Sequence, residues 1–139
     1  MATFNKYTNG VTALVTSINS GADAWKVALS NAVTVTDTTF TPGTSDLPTG
    51  GGYTAGGATA TVASSSNSGG VYKLTLNSPA TWTASTTGFG PFRYAILWDS
   101  TTSSPLGYWD YGSSITASGT NGDTFTVTLD ATNGTFTVT

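Results

Sequence analysis

Phe89-Gly90-Pro91-Phe92-Arg93-Tyr94-Ala95-Ile96-Leu97-Trp98-Asp99, followed after the polar turn Ser100 to Pro105 by Leu106-Gly107-Tyr108-Trp109-Asp110-Tyr111-Gly112, is the stretch that decides the fold. Apolar residues occupy both parities between 94 and 98, which predicts a central strand covered on both faces. The second run predicts its antiparallel partner. Neighbouring side chains on a strand point to opposite faces, so the rings of Tyr108, Trp109 and Tyr111 cannot all point inward. Some of them must cover a second surface: a helix, a loop or another subunit. Arg93 is the single arginine, and its expected partner across this pair is Asp99 or Asp110, as a structural ion pair.

The rest of the chain reads outward from that pair. Trp25, Val27 and Leu29 alternate with Lys26 and Ala28, as in a half-buried strand. Ala58, Ala60 and Val62 alternate with Thr59 and Thr61, and Tyr72, Leu74 and Leu76 alternate with Lys73 and Thr75. The expected hairpin pairs residue 62 with 72, 60 with 74 and 58 with 76, through a polar connection from Ser64 to Gly70. Trp82 sits in a short segment from Pro79 to Ala84. Near the end, Phe125, Val127, Leu129 and Ala131 alternate with Thr and Asp, and Asn133-Gly134 is the favoured two-residue hairpin turn. That turn pairs Ala131 with Phe136 and Leu129 with Val138. Ser113 to Ala117 is a further strand, expected beside 125–129.

The N-terminal segment carries the helical signal. Phe4, Tyr7, Val11, Leu14 and Ile18 fall on one stripe, and Asn19-Ser20-Gly21 reads as a stop. Residues 4–19 are therefore expected to form a helix, with an extended arm as the alternative. Residues 36–57 read as a long loop containing Pro42, Pro48 and the run Gly50-Gly51-Gly52; loops of this length are often functional. The sum is one domain over residues 1–139. Its class is all-β: an antiparallel sandwich or barrel of about eight short strands with one short N-terminal helix.

Composition narrows the function classes. The chain of 139 residues holds 30 Thr, 16 Ser and 17 Gly, a makeup suited to strands joined by polar turns. It has no Cys, His or Glu, so thiolate nucleophiles, zinc clusters and histidine bases are excluded. Lys6, Lys26, Lys73 and Arg93 are too few to form the footprint of a nucleic-acid binder. No apolar run is long enough for a membrane helix. The start, Met1 to Lys6, lacks the charged region and apolar stretch of an export signal, so cytoplasmic synthesis is expected.

Seven Asp residues supply all the carboxylates, and most fall at turns or strand ends, where Asp caps backbone. An Asp pair can act as acid and base, but no Asp-Thr/Ser-Gly signature is present. No closely spaced Asp loop suits calcium, and Gly50-Gly51-Gly52 lacks the lysine of a phosphate loop. The chain is read as non-enzymatic, without cofactor or metal. Trp82, Trp98, Tyr108, Trp109 and Tyr111 offer sugar platforms beside Asp99 or Asp110, against which stands their use as core.

Three segments, Met1-Ala2-Thr3-Phe4-Asn5-Lys6-Tyr7, Gly51-Gly52-Tyr53-Thr54-Ala55-Gly56-Gly57, and Gly90-Pro91-Phe92-Arg93-Tyr94-Ala95 continuing to Tyr108-Trp109-Asp110-Tyr111-Gly112-Ser113-Ser114, resemble in order and spacing a family of small structural proteins from tailed bacteriophages. That family is associated with capsid decoration, or cement. The resemblance implies a protein of the virion surface that binds the major capsid protein, with homo-oligomerisation a further expectation. It implies no catalytic residue and no cofactor. The expected contact residues are Phe4 and Tyr7 from the N-terminal segment, Gly51, Gly52 and Tyr53 from the long loop, and Tyr108, Trp109 and Tyr111. The alternative is a carbohydrate-binding module of a phage tail or an extracellular protein.

Overall fold

The computed structural model describes residues 2–139. Its elements run β1 (Phe4–Lys6), α1 (Gly10–Thr16), β2 (Trp25–Ser30), β3 (Ala58–Ala60), β4 (Val62–Ser68), β5 (Val71–Leu76), β6 (Trp82–Thr83), β7 (Phe89–Asp99), β8 (Ser104–Ala117), β9 (Thr124–Phe125) and β10 (Phe136–Val138). The fold is all-β and antiparallel with one short helix. Three sheets form, in the orders β1-β8-β7-β2-β3, β10-β5-β4 and β6-β9.

The first two sheets enclose the main core. Val27 and Leu29 of β2, with Ala95 and Leu97 of β7, pack with Leu74 and Leu76 of β5 in one buried cluster. The Trp25 ring meets Phe136 across the sheets at 5.8 Å. The other face of the five-stranded sheet carries a second cluster, in which Ala28, Ile96 and Trp98 are covered by Tyr7 and Phe40. β7 is thus buried on both faces, as its unbroken apolar run requires. β8 pairs with it as expected, from Asp99↔Ser104 to Phe89↔Ala117. β2 is less polar in its setting than its alternation predicts, because Phe40 and Trp98 cover the face that Ala28 occupies.

Four expectations are corrected. Residues 4–19 are not one helix: Phe4–Lys6 pairs with β8, and the helix spans only Gly10–Thr16. Gly10 permits the crossing, since a Cβ there would lie 2.6 Å from the Leu106 carbonyl oxygen. The 58–76 hairpin has a different register. β4 pairs with β5 as Val62↔Leu76 and Ser68↔Val71, around Gly69-Gly70, and β3 joins β2 instead. Both turn glycines have positive φ, which suits a tight hairpin. The C-terminal hairpin does not form, because β10 pairs with β5, Phe136 facing Leu74. Finally, 113–117 continues β8 along β7, and Thr124-Phe125 pairs with Trp82-Thr83.

The long 36–57 segment holds no strand but is firmly packed. Phe40, Leu47 and Tyr53 are all buried. Among the described residues no helix is long and apolar enough to cross a membrane.

Candidate functional site

The strand β8 places four consecutive side chains on alternate faces. Tyr108 falls on the side of the second core, where its ring makes edge contacts with Tyr7 at 5.9 Å and Tyr94 at 5.7 Å. Trp109 and Tyr111 fall on the opposite side. Phe4 of β1 lies against Trp109 at 4.9 Å, because the two are register partners. Tyr111 meets Phe125 of β9 edge-on at 5.4 Å. Tyr108, Trp109 and Tyr111 are each only partly buried, as is Phe4. Trp109 and Tyr111, with Ala2 and residues 126–128, line a cleft of about 200 Å³.

An ion pair fixes this part of the sheet. Arg93 donates through Nε and Nη2 to the two oxygens of Asp110, at 2.7 and 2.8 Å. Asp110 Oδ1 also accepts from the Gly112 N–H at 2.7 Å. The Arg93 side chain and that backbone donor hold the Asp110 carboxyl below the usual carboxylate range, and Asp110 in turn raises Arg93. The guanidinium also sits 5.3 Å from the Tyr94 ring centroid. Of the two partners that the sequence allowed for Arg93, the structure selects Asp110. Tyr94 was missed as a member of this surface; the signal available was its parity with Ile96 and its neighbour Arg93.

The remaining expected residues lie elsewhere. Tyr7 is 3% exposed and its ring closes the second core, so it backs the surface without belonging to it. Burial pushes its hydroxyl up. Tyr53 is 2% exposed, between Trp82 and Phe89. Its hydroxyl donates to Asp46 Oδ2 at 2.5 Å and accepts from the Leu29 N–H at 3.0 Å. Burial, then the Asp46 contact, raises its ionisation well above the ordinary tyrosine value. The rings of Tyr7 and Tyr53 are therefore buried within the chain. Gly51 and Gly52 have positive φ, and a Cβ on either would overlap a backbone carbonyl, of Gly88 or Thr83 respectively. The loop is clamped onto the 83–88 segment.

The carboxylates serve the backbone. Asp99, fully buried, accepts from the Thr101 N–H at 2.8 Å and the Thr102 hydroxyl at 2.8 Å, closing the β7–β8 turn. Burial raises its pKa, and the nearby Asp23 adds to the rise. Asp123 accepts from the Ser118 N–H, and Asp130 from the N–H groups of Thr132 and Asn133. Among the described residues no group of three acidic side chains is placed to hold a metal ion. Two proposed sugar platforms, Trp82 and Trp98, lie inside the core, and Trp98 is stacked on Phe40 at 4.2 Å. The chain matches no protein-family model, no curated protein and no solved structure.

Proposed function

We propose that this is a capsid decoration, or cement, protein of a tailed bacteriophage: a non-enzymatic component of the virion surface, made in the bacterial cytoplasm, that binds the major capsid protein and strengthens contacts between its subunits. The observation that carries the reading is the set of partly buried rings on β1 and β8, with Phe4, Trp109 and Tyr111 on one side of the sheet and Tyr108 on the other, along a paired strand that the Arg93–Asp110 fork braces. Tyr, Trp and Arg are the residues that anchor protein interfaces. The motif resemblance supports the same reading. So does the use of Asp99, Asp110, Asp123 and Asp130 as backbone or ion-pair partners, which leaves them engaged in holding the fold. With 8% charged residues, binding would rest on apolar area and hydrogen bonds, and would tolerate salt.

The test is the copy number of this chain in purified virions, counted by quantitative mass spectrometry against the major capsid protein. A ratio near one-to-one, or a simple fraction set by capsid symmetry, is expected. A handful of copies per particle would overturn the capsid assignment and move the protein to the tail, where sugar binding becomes the better reading. Absence from virions would overturn the structural role altogether.

A further inference from the structure

Tyr7 is 3% exposed, yet among the described residues its hydroxyl has no hydrogen-bond partner. Every fully enclosed side-chain polar atom among those residues has one, so this oxygen is not enclosed. It opens onto a cleft of about 280 Å³ that Tyr7 lines together with Phe40, over the second core. Burial, then the charge of Asp37 in the same lining, holds the hydroxyl above the usual tyrosine range, so it stays a protonated donor. A donor fixed in this way is costly unless something accepts from it.

The walls of the cleft are tied together by backbone. The Thr8 N–H donates to the Val35 carbonyl at 2.7 Å, the Asp37 N–H to the Thr34 carbonyl at 3.0 Å, and the Phe40 N–H to the Ser103 carbonyl at 2.7 Å. The Ser45 N–H closes a turn onto the Thr41 carbonyl at 2.8 Å. The cleft is therefore formed before any ligand arrives. Its polar groups divide in two. Ser30 and Ser45 spend their hydroxyls on neighbouring backbone. The Asp37 carboxylate and the hydroxyls of Thr34, Thr39 and Thr44 bond nothing among the described residues, and the lining holds no cationic side chain.

We propose that this cleft binds a neutral polyol, the vicinal hydroxyls of one sugar ring, which accept from the Tyr7 hydroxyl and donate to the Asp37 carboxylate. The occupant has to satisfy a fixed donor and a fixed acceptor in one small space. An alkylammonium donates to Asp37 and offers Tyr7 no acceptor. A phosphate or carboxylate accepts from Tyr7 and is repelled by Asp37. Calcium calls for six to eight oxygens and usually several carboxylates, and Asp37 is the one carboxylate here. A hydroxyl plays both parts, and so do the threonine hydroxyls around it. The volume lies just under the range of about 300–1,000 Å³ usual for small-molecule sites, which suits one ring. Phe40 is 2% exposed and stacked on Trp98, so it offers no platform for stacking. Binding then rests on hydrogen bonds, with a dissociation constant of a few millimolar, on the order of magnitude that about 0.3 kcal/mol per ligand atom allows. The cleft is separate from Trp109 and Tyr111, which pack on the main core, and the proposal stands or falls independently of the capsid reading.

The test uses the whole chain, isotope-labelled for NMR. Its probes are the methyl glycosides of glucose, mannose and galactose, with butylammonium and propionamide for comparison. At least one glycoside should shift the amides of Tyr7 and of residues 30–45 and leave those of 109–111 in place. Tyr7→Phe keeps the ring in the second core and removes the donor; it should weaken that glycoside about fivefold. Asp37→Asn, at an exposed position, should weaken it about tenfold without touching the core. Tyr111→Phe should change nothing. A free sugar and the end ring of a glycan share this chemistry: maltotriose binding as well as the methyl glucoside assigns the glycan end, weaker binding assigns the free sugar, and either supports the site. The proposal is overturned if no glycoside shifts 30–45 at about 50 mM, roughly tenfold above the expected dissociation constant. It is overturned equally if butylammonium or propionamide binds as tightly as the best glycoside, if the shifts fall on 109–111 instead, or if both Tyr7→Phe and Asp37→Asn bind like the parent.

Discussion

Replacing Asp46 by Ala removes one buried carboxylate and the acceptor for two buried donors. The Tyr53 hydroxyl and the Gly56 N–H both donate to Oδ2, at 2.5 and 2.6 Å. A third donor, the Gly43 N–H, reaches Oδ1 at 2.6 Å but lies at the surface, where water can replace the carboxylate. The cost therefore comes from the buried two. A hydrogen bond to a charged partner contributes about 1.5–3 kcal/mol, so the pair contributes about 4 kcal/mol. Relief of the buried charge, which has no cationic partner among the described residues, returns part of this and leaves about 3 kcal/mol. In urea, with a slope of about 2 kcal/mol per molar, the unfolding midpoint should fall by about 1.5 M. Tyr53→Phe strips the Leu29 N–H of its acceptor and takes one donor from Asp46, so it should lose about 2 kcal/mol. Both changes break the same contact, so the double variant should lose less than the sum. Amide exchange over residues 43–57 should rise in each. A midpoint for Asp46→Ala within about 0.3 M of the parent, with exchange in 43–57 unchanged, would refute the reasoning. The loop would then be held by its other contacts, the packing of Phe40 and Leu47 and the Trp98 bond to the Gly56 carbonyl.

Other expectations follow from the same structure. Gly51→Ala should prevent folding or cost several kcal/mol, since its Cβ would overlap the Gly88 carbonyl; Gly69→Ala, at similar positive φ but in open space, should cost only about 1 kcal/mol, and equal effects in thermal melts would contradict this. Phe40→Ala should cost about 3–5 kcal/mol in urea by unstacking Trp98 and opening the second core. Asp110 has a folded pKa below its unfolded value near 4, so its contribution is present above that value and fades as pH falls through the folded one; Arg93→Met should make the acid arm of stability against pH shallower. Asp99 is raised, so its contribution has the opposite sign: present below about 4 and lost as pH rises through the folded value, a loss that Asp99→Asn should remove. Trp109→Ser, which truncates a partly buried ring at the sheet edge, should weaken retention on capsids at least tenfold in a pelleting assay while the fold persists.

The β7–β8 pair was legible because its apolar run fills both faces and its turn is short, so burial and pairing gave the same answer. Elsewhere periodicity reported faces without naming partners. Val127 and Leu129 point inward as their alternation requires, and both are buried, yet 126–130 joins no sheet. The Asn133-Gly134 turn signal is overridden by Asp130, which gathers the N–H groups of Thr132 and Asn133, and by the Thr135 N–H, which bonds the Leu74 carbonyl. At the other end, residues spaced 3 and 4 apart mimic one helix because Phe4 and Tyr7 happen to continue the stripe of α1; the strand period of Phe4 and Lys6 fits the same letters. In the candidate surface, Trp109 and Tyr111 could be placed from parity and the aromatic run, whereas Phe4, read on the helical stripe, pairs as a strand with Trp109 instead. Tyr53 could not, since its burial depends on Asp46, and an acidic residue in a Gly-rich segment gives no sign that it will be the loop's internal anchor.

That anchor changes where a partner would be engaged. A long Gly-rich loop reads as an arm able to reach across a seam, and this one is the reverse. Asp46 ties positions 43, 53 and 56 together, Tyr53 bonds β2 through Leu29, Trp98 Nε1 bonds the Gly56 carbonyl at 3.0 Å, and Gly51 and Gly52 sit against backbone. Releasing the loop would unmake these bonds and expose Phe40, Leu47 and Tyr53, which is close to unfolding one side of the sheet. Its glycines thus serve close approach and positive φ, and flexibility is the lesser part of their role. What remains available without such a cost is the opposite edge, where β1, β8, α1 and β10 leave Phe4, Trp109, Tyr111, Val15 and Val138 partly or largely in solvent. A partner that orders nothing on binding loses little conformational entropy. The rigid loop and the incomplete edge are therefore two parts of one arrangement: the first holds the sheet in shape, and the second is the face on which the proposed capsid contact would rest.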